Sequence, residues 1–550
     1  MAEPNAMKDD QRGGLGNALR LLFGGRNNDR RAARGAVVFR VQPHDRVPGE
    51  AVRGHALLAG DYGVVGEILS AREAAPWADQ SLGAAWFDAL HGFSWLRDLR
   101  VIGTSAARTR ACALVQDWIE RSEDLPGSAR APAVTGARLA AWLVNHDFLL
   151  GAPTDSFAQL FHASLLSQAK QLARTARRGD DGADRFAALK GLIYCSVALP
   201  DGDHRLQQVL KALETELIEQ VLPDGVHVSR SPSTQLAVLR DLIDLRATLI
   251  AAHQAPPVAL QNSIDRLALM VRGFRHGDGG LALFNDSLEE EAWLVDRVLG
   301  LADAKGRPLS DARHGGFQRV QAGRTLVLMD AGVPPMHGLH GHAGTLSLEI
   351  SVGKERLITN CGAWRGPDAQ WAQALRASAA HSTLTVDDTN SAAVLDEGGI
   401  GVGPNRIDFN REEKEGAVWL DASHDGYVQP FGLMHTRRLY VAADGGDLRG
   451  EDRLTSLGGA RRAGRSFAVR FHLHPDVQAS LVQDGASVLL RLPSGAGWHL
   501  RAGGGSLDLA ESVYAGKAGE RRRTEQVFIT GGIEPDETII KWALRRIPKG

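Results

Sequence analysis

Nineteen histidines in a chain of 550 residues give the first chemical signal, because several fall in close groups. The densest is His337-Gly338-Leu339-His340-Gly341-His342-Ala343-Gly344, just before a strand-like run that starts at Thr345. Imidazoles bind metals and switch charge near neutral pH, and glycine lets the backbone approach a ligand. This turn therefore suits a metal or an anionic substrate, and equally a solvated surface turn. A second group, Asn145-His146-Asp147, follows a stretch with Leu139, Trp142 and Leu143 on one face; a polar trio there can cap a helix C-terminus. A third runs from Asp224 through His227 and Arg230 to Ser231-Pro232. His227 and Arg230 precede a helix N-terminus, where free N–H groups and the dipole favour an anion, while Ser231 and Pro232 read as N-cap and first helical residue. His381 and the His424–Tyr427 segment each sit beside a strand edge, where a hydrogen-bonded core histidine is also expected.

Absent patterns narrow the chemistry. No HExxH or CxxC supports a metal site by spacing, and GxGxxG after a strand, GxxxxGK[ST] and GxSxG are all missing. The three cysteines, Cys112, Cys195 and Cys361, lie too far apart for a disulfide framework or a metal knuckle, and Cys361 reads as a small buried residue at a strand end. Basic and acidic side chains number 63 and 65, so the formal charge of −2 argues against nucleic acid as a partner. No apolar run is long enough to span a bilayer. The segment 1–40 reads as a flexible basic arm whose apolar patch, Leu19 to Phe23, is short and lacks a signal-peptide cleavage site.

The elements that must position these residues fall into two halves. From residue 41 to 305 the apolar spacing is helical: Leu206, Val209, Leu210, Leu213, Leu217 and Val221 form one stripe, and Leu236, Leu239, Leu242, Leu245 and Leu249 another. Further helices are expected over Trp86–Leu99, Arg138–Leu150, Phe157–Ala173, Phe186–Leu199 and Val258–Phe274. From 306 to 550 the period is two. Leu346, Leu348, Ile350 and Val352 alternate with Ser347, Glu349 and Ser351, and Phe467, Val469, Phe471 and Leu473 alternate with polar neighbours. The expected fold is α+β and multidomain, a helical domain followed by an antiparallel β-sandwich.

Taken together, WFDALHGFSWLRDL, NHDFLL, LPDGVHVSRSP, HGLHGHAGTLSLEISVGKERLITNCGAW, RASAAHSTLTVDD, SHDGYVQPFGLMHTRRLYV and RFHLHP resemble the heparinase II/III-like family. The resemblance covers the chain from about residue 50 and is most specific from His340 to Asp387. It implies an incomplete α/α toroid joined to a β-sandwich, and lyase chemistry on an anionic polysaccharide or oligosaccharide such as a glycosaminoglycan or alginate. In that β-elimination one group neutralises a uronate carboxylate, a base removes the C5 proton and an acid protonates the leaving oxygen. By resemblance, Asn145 or His146 stands where the carboxylate is neutralised, and His340 matches the sandwich histidine that faces the substrate. His342, Asn360 and His381 match positions that hold a structural zinc in some members. The family acts in the periplasm or cell envelope; with no visible signal peptide, the cytoplasm is the alternative.

Two departures stand out. The family loop continues Ser-Pro-x-Tyr-His, and its tyrosine is the usual base and acid; here it reads Ser231-Pro232-Ser233-Thr234-Gln235. A threonine hydroxyl is a far weaker acid and has no adjacent activator. The zinc carboxylate is replaced by Asn360, whose amide is a poor zinc ligand. The sequence therefore supports two readings. One is a carbon–oxygen lyase with a rearranged catalytic set, in which His227, His340, Tyr427 and Asn145 act on a substrate held by His146 and Arg230. The other is an acidic-glycan-binding or envelope-assembly protein that lost the catalytic tyrosine. Only five tyrosines exist, and Tyr427 is the one inside a motif block.

Overall fold

The computed structural model describes residues 39–72, 75–151, 154–176, 182–200, 202–335, 341–396, 398–457 and 465–548. The basic arm, apart from its last two residues, and with it Leu19–Phe23, His337 and His340, lie outside the described residues. The chain divides into two compact units. One runs to Gln220 and includes Val238–Ile264 and Arg365–Pro367; the other comprises Val221–Ala237, Asp265–Trp364 and Asp368–Gly550.

The first unit is built from amphipathic helices. Its core joins Trp86 from helix Ala84–His91, Trp118 from Ser105–Arg121, Trp142 from Pro132–Val144 and Phe161 from Asp155–Thr175, all fully or almost fully buried. Burying aromatics of this size dominates the stability of such a core. Helices Pro132–Val144 and Ala183–Ala198 meet where both carry glycine: a Cβ on Gly191 would stand 2.6 Å from Gly136 Cα, so neither side tolerates a side chain. The stretch Trp86–Leu99 is two helices, Ala84–His91 and Leu96–Ile102, broken at Phe93, whose φ is 58°. A two-stranded hairpin, Asp61–Val64 with Glu67–Ser70, was not expected from the spacing.

The second unit is an antiparallel sandwich. One sheet has eight strands in the spatial order Gln478–Val482, Ser487–Arg491, Gly497–Gly503, Glu537–Arg546, Asp447–Ser456, Leu433–Val441, Ala417–His424 and Ile407–Lys414. The other runs Ser506–Tyr514, Arg522–Gly532, Ser466–Leu473, Glu355–Thr359, Leu348–Val352, Thr325–Asp330, Phe317–Ala322 and Asp311–Ala312, with Leu384–Val386 paired to Ser466–Leu473. Apolar residues from the inner faces, such as Leu348, Ile350, Phe471, Leu439 and Trp542, form one cluster between the sheets. The α+β architecture expected from the two periodicities is present.

Candidate functional site

In the second unit, the loop before helix Pro232–Ala251 folds on itself. Val221 bridges to His227, and Gly225 has a φ of 85° with Arg266 O where a Cβ would go. Ser231 caps the helix, its Oγ accepting the Thr234 N–H at 3.3 Å, with Pro232 in the first helical position. His227 is completely buried. Its Nδ1 accepts the Ser229 N–H at 3.2 Å and lies 2.8 Å from the Ser229 hydroxyl, which leaves the proton on Nε2. Burial pushes its pKa down to about 4, so the ring is neutral at physiological pH.

Arg230 stands in the left-handed region with φ 54° and turns its guanidinium into the protein. Nε donates to Gly315 O and Nη1 to Val333 O, each at 2.8 Å, and Nη2 pairs with Asp330; the group also lies 4.7 Å above the Phe317 ring. The expected substrate-binding cation is thus engaged by this protein's own acceptors. Tyr427 is also internal. It is fully buried among sandwich residues, its hydroxyl donates to Leu384 O at 2.9 Å, and burial raises its pKa. A phenol held this way has no access to a substrate proton.

Residues not singled out by the sequence connect this loop to the histidines of the sandwich. Asn285 and Asp286 adopt consecutive left-handed conformations with φ of 46° and 57°. Asn285 Nδ2 donates to Arg230 O at 3.2 Å, its Oδ1 accepts the His342 N–H at 3.3 Å, and the Asp286 N–H donates to His342 Nε2 at 3.0 Å. Adjacent Asn-Asp, which tolerates this backbone, was the available signal.

The three residues that the resemblance implies as zinc ligands are engaged in hydrogen bonds of their own. With Nε2 of His342 accepting from Asp286, its Nδ1 carries the proton and donates to His381 Nε2 at 3.1 Å; His381 Nδ1 in turn donates to Ala377 O at 2.8 Å. Each imidazole lone pair is thereby met by an N–H. Both ends of the Asn360 amide are also committed: Nδ2 donates to Glu349 at 3.2 Å and Oδ1 accepts the Ser382 N–H at 3.0 Å. Among the described residues no group of three histidine, cysteine, aspartate or glutamate side chains could hold a metal. The residues present do not fit a structural zinc.

Asn145 and His146 belong to the first unit. Asn145 closes helix Pro132–Val144, its Nδ2 donating to Ala141 O at 2.7 Å, as a C-terminal cap would. Among the described residues its Oδ1 has no hydrogen-bond partner, nor does His146 Nε2 or either ring nitrogen of the neighbouring His162, all of them buried. His146 and His162 stack at 6.0 Å, with the Phe39 ring 4.1 Å from His146. Desolvation lowers the His162 pKa to about 4.

The comparisons with known proteins decide the family. A model described as heparinase II/III-like, C-terminal, matches residues 304–543. FtsZ-localized protein C of Caulobacter vibrioides (strain NA1000 / CB15N) is 33% identical over 522 residues, covering 92% of this chain and 90% of the relative. The chain belongs to the heparinase II/III-like family. Solved structures of heparinase-type lyases share its fold: heparinase III superposes with a TM-score of 0.74 at 13% identity over 97% of this chain and 90% of that one. Heparan sulfate lyase HepC from Pedobacter heparinus gives 0.61 at 14% identity, over 100% and 92%. The fold class is that of this family, a helical toroid with a β-sandwich, and the chain is polysaccharide-lyase-like. Among the described residues no helix is long and apolar enough to cross a membrane.

Proposed function

We propose that this chain is a heparinase-fold protein that binds an acidic glycan without cleaving it, and that it works in cell division. The supporting observation is the fate of its phenols. Thr234 stands where the family keeps its tyrosine, and all five tyrosines are described. Tyr62, Tyr194, Tyr427 and Tyr514 are buried, and Tyr440 lies in the strand Leu433–Val441. With His227 buried and neutral as well, neither it nor Tyr427 is placed to carry the proton transfers of β-elimination. Glycan binding is carried over in this reading from the heparinase II/III-like family, because the unpartnered polar atoms of Asn145, His146 and His162 are themselves buried.

The division role is carried over from the name of the FtsZ-localized relative, which favours a place beside FtsZ over the periplasm. Incubation with heparan sulfate, alginate and hyaluronan should yield no unsaturated uronate by ultraviolet absorbance, while at least one of these glycans binds. Product formation abolished by Asn145→Ala would overturn the non-catalytic reading. A fluorescent fusion that ignores the position of FtsZ would overturn the division role.

A further inference from the structure

The outer face of the eight-stranded sheet carries a hollow of about 830 Å³, formed wholly by the second unit. The strand registers place Trp419, Tyr440, Arg449, Ala543 and Arg501 in one row across five neighbouring strands. The next row is Asp421, Arg438, Glu451, Lys541 and Gly503. The row between them, Leu420, Leu439 and Trp542, points into the core, so both of these rows face outward. Ala543 and Gly503 supply almost no side chain, which makes the floor. Trp419 and Tyr440 form one wall, their rings 5.0 Å apart, and Trp419 is 39% exposed.

Charge decides what such a hollow accepts. Its lining holds five basic residues, Lys414, Arg438, Arg449, Arg501 and Lys541, against three acidic ones, so it is positive on a chain whose formal charge is −2. Arg438 is neutralised by Asp421 at 2.6 Å and Arg449 by Asp447 at 2.6 Å. Arg501 instead bonds the neutral Gln483 at 3.0 Å, and Lys541 meets Glu451 only at 3.8 Å, which leaves net positive charge on the wall opposite the aromatics. A peptide docking by strand addition needs a sheet edge, and this is the middle of a face whose ladder groups are already paired. Sugar rings stack on tryptophan and tyrosine faces, and guanidinium and ammonium groups meet carboxylates or sulfates.

We infer that this face is a glycan-binding site for an anionic oligosaccharide, its sugar rings against Trp419 and Tyr440 and its acidic groups at Arg501 and Lys541. It is separate from Asn145 and His146 and goes beyond the function proposed above. The test is calorimetric titration of the full chain with a heparin-derived hexasaccharide, with polyglutamate of matched charge as the peptide competitor. Trp419→Ala and Arg501→Glu, both at exposed positions, should each weaken hexasaccharide binding about tenfold or more with an unchanged melting temperature. Asn145→Ala should leave this component intact. Wild-type affinity in both variants, no binding by the wild type, or equal competition by polyglutamate would each overturn the inference. None of these outcomes depends on whether the chain cleaves glycans.

Discussion

Gln235 holds the His227 loop shut with its side-chain amide: Oε1 accepts the His227 N–H at 3.1 Å, and Nε2 donates to Gly225 O at 3.1 Å and to Leu267 O at 3.0 Å. Gln235 is 1% exposed, so none of these groups can turn to water instead. The residue that follows the catalytic tyrosine elsewhere in the family is here a structural clamp. Gln235→Ala strands one donor and two acceptors, each costing about 1–3 kcal/mol when buried. A loss of about 3 kcal/mol or more is expected in urea denaturation; a shift below about 0.5 kcal/mol would show that the loop does not depend on the clamp.

Zinc should not be a component of the purified protein. The His342–His381 pair is satisfied together with the Asp286 N–H and the Ala377 carbonyl, and Asn360 spends its amide on Glu349 and Ser382. Elemental analysis is expected to find zinc well below one per chain, and chelator should leave the melting temperature unchanged. Restoring a carboxylate by Asn360→Asp is expected to destabilise by about 3 kcal/mol, because two buried carboxylates would then confront each other without a cation. Stoichiometric zinc in the wild type would refute the hydrogen-bond assignment.

A second buried charge cluster holds the two sheets of the sandwich. Arg437 and Asp452 are fully buried and paired twice, Nε to Oδ1 at 2.7 Å and Nη2 to Oδ2 at 3.0 Å. His435 and Trp542 complete the carboxylate's partners, and these contacts hold it well below the usual carboxylate range. Arg437 Nη1 also reaches Leu346 O and Ser382 O. Arg437→Met leaves Asp452 without its cation and should cost about 3–5 kcal/mol. Adding Asp452→Leu should recover part of that loss; strictly additive effects would argue against the coupling.

These clusters explain which parts of the fold were legible in the sequence. Strand Ser466–Leu473 announced itself by alternation, whereas Asp447–Ser456 did not, because its inward positions include Gly450 and Asp452 rather than apolar residues. Glu349 read as a solvent-facing member of an alternating strand. It is buried because His276 and Leu283 cover that face, with His276 Nε2 donating to it at 2.8 Å and the Leu283 N–H at 3.1 Å. Period-two patterning reports one covered face and fails where a loop covers the other. At the candidate site, residue types were readable and their orientation was not. His227 and Arg230 look like ligands for an anion in a loop, and only the folded loop and its tertiary contacts reveal that Ser229 and Asp330 have taken them.

Acid should weaken the sandwich unit before carboxylates titrate. Burial lowers the pKa of His227 and His381 to about 4 and that of His472 to about 3, from a usual 6.5. As pH falls through 6.5 the unfolded chain takes up these protons while the native chain stays neutral. The stability they confer is therefore complete above pH 6.5 and is lost progressively down to about pH 4. At pH 5.5 each ring accounts for a loss of about 1 kcal/mol relative to neutral pH. The melting temperature should fall steeply between pH 7 and pH 5. His381→Gln, whose amide can still donate to Ala377 O and accept from His342, should make that fall shallower. A variant whose melting temperature tracks pH as steeply as the wild type would show that His381 is not held neutral by the fold.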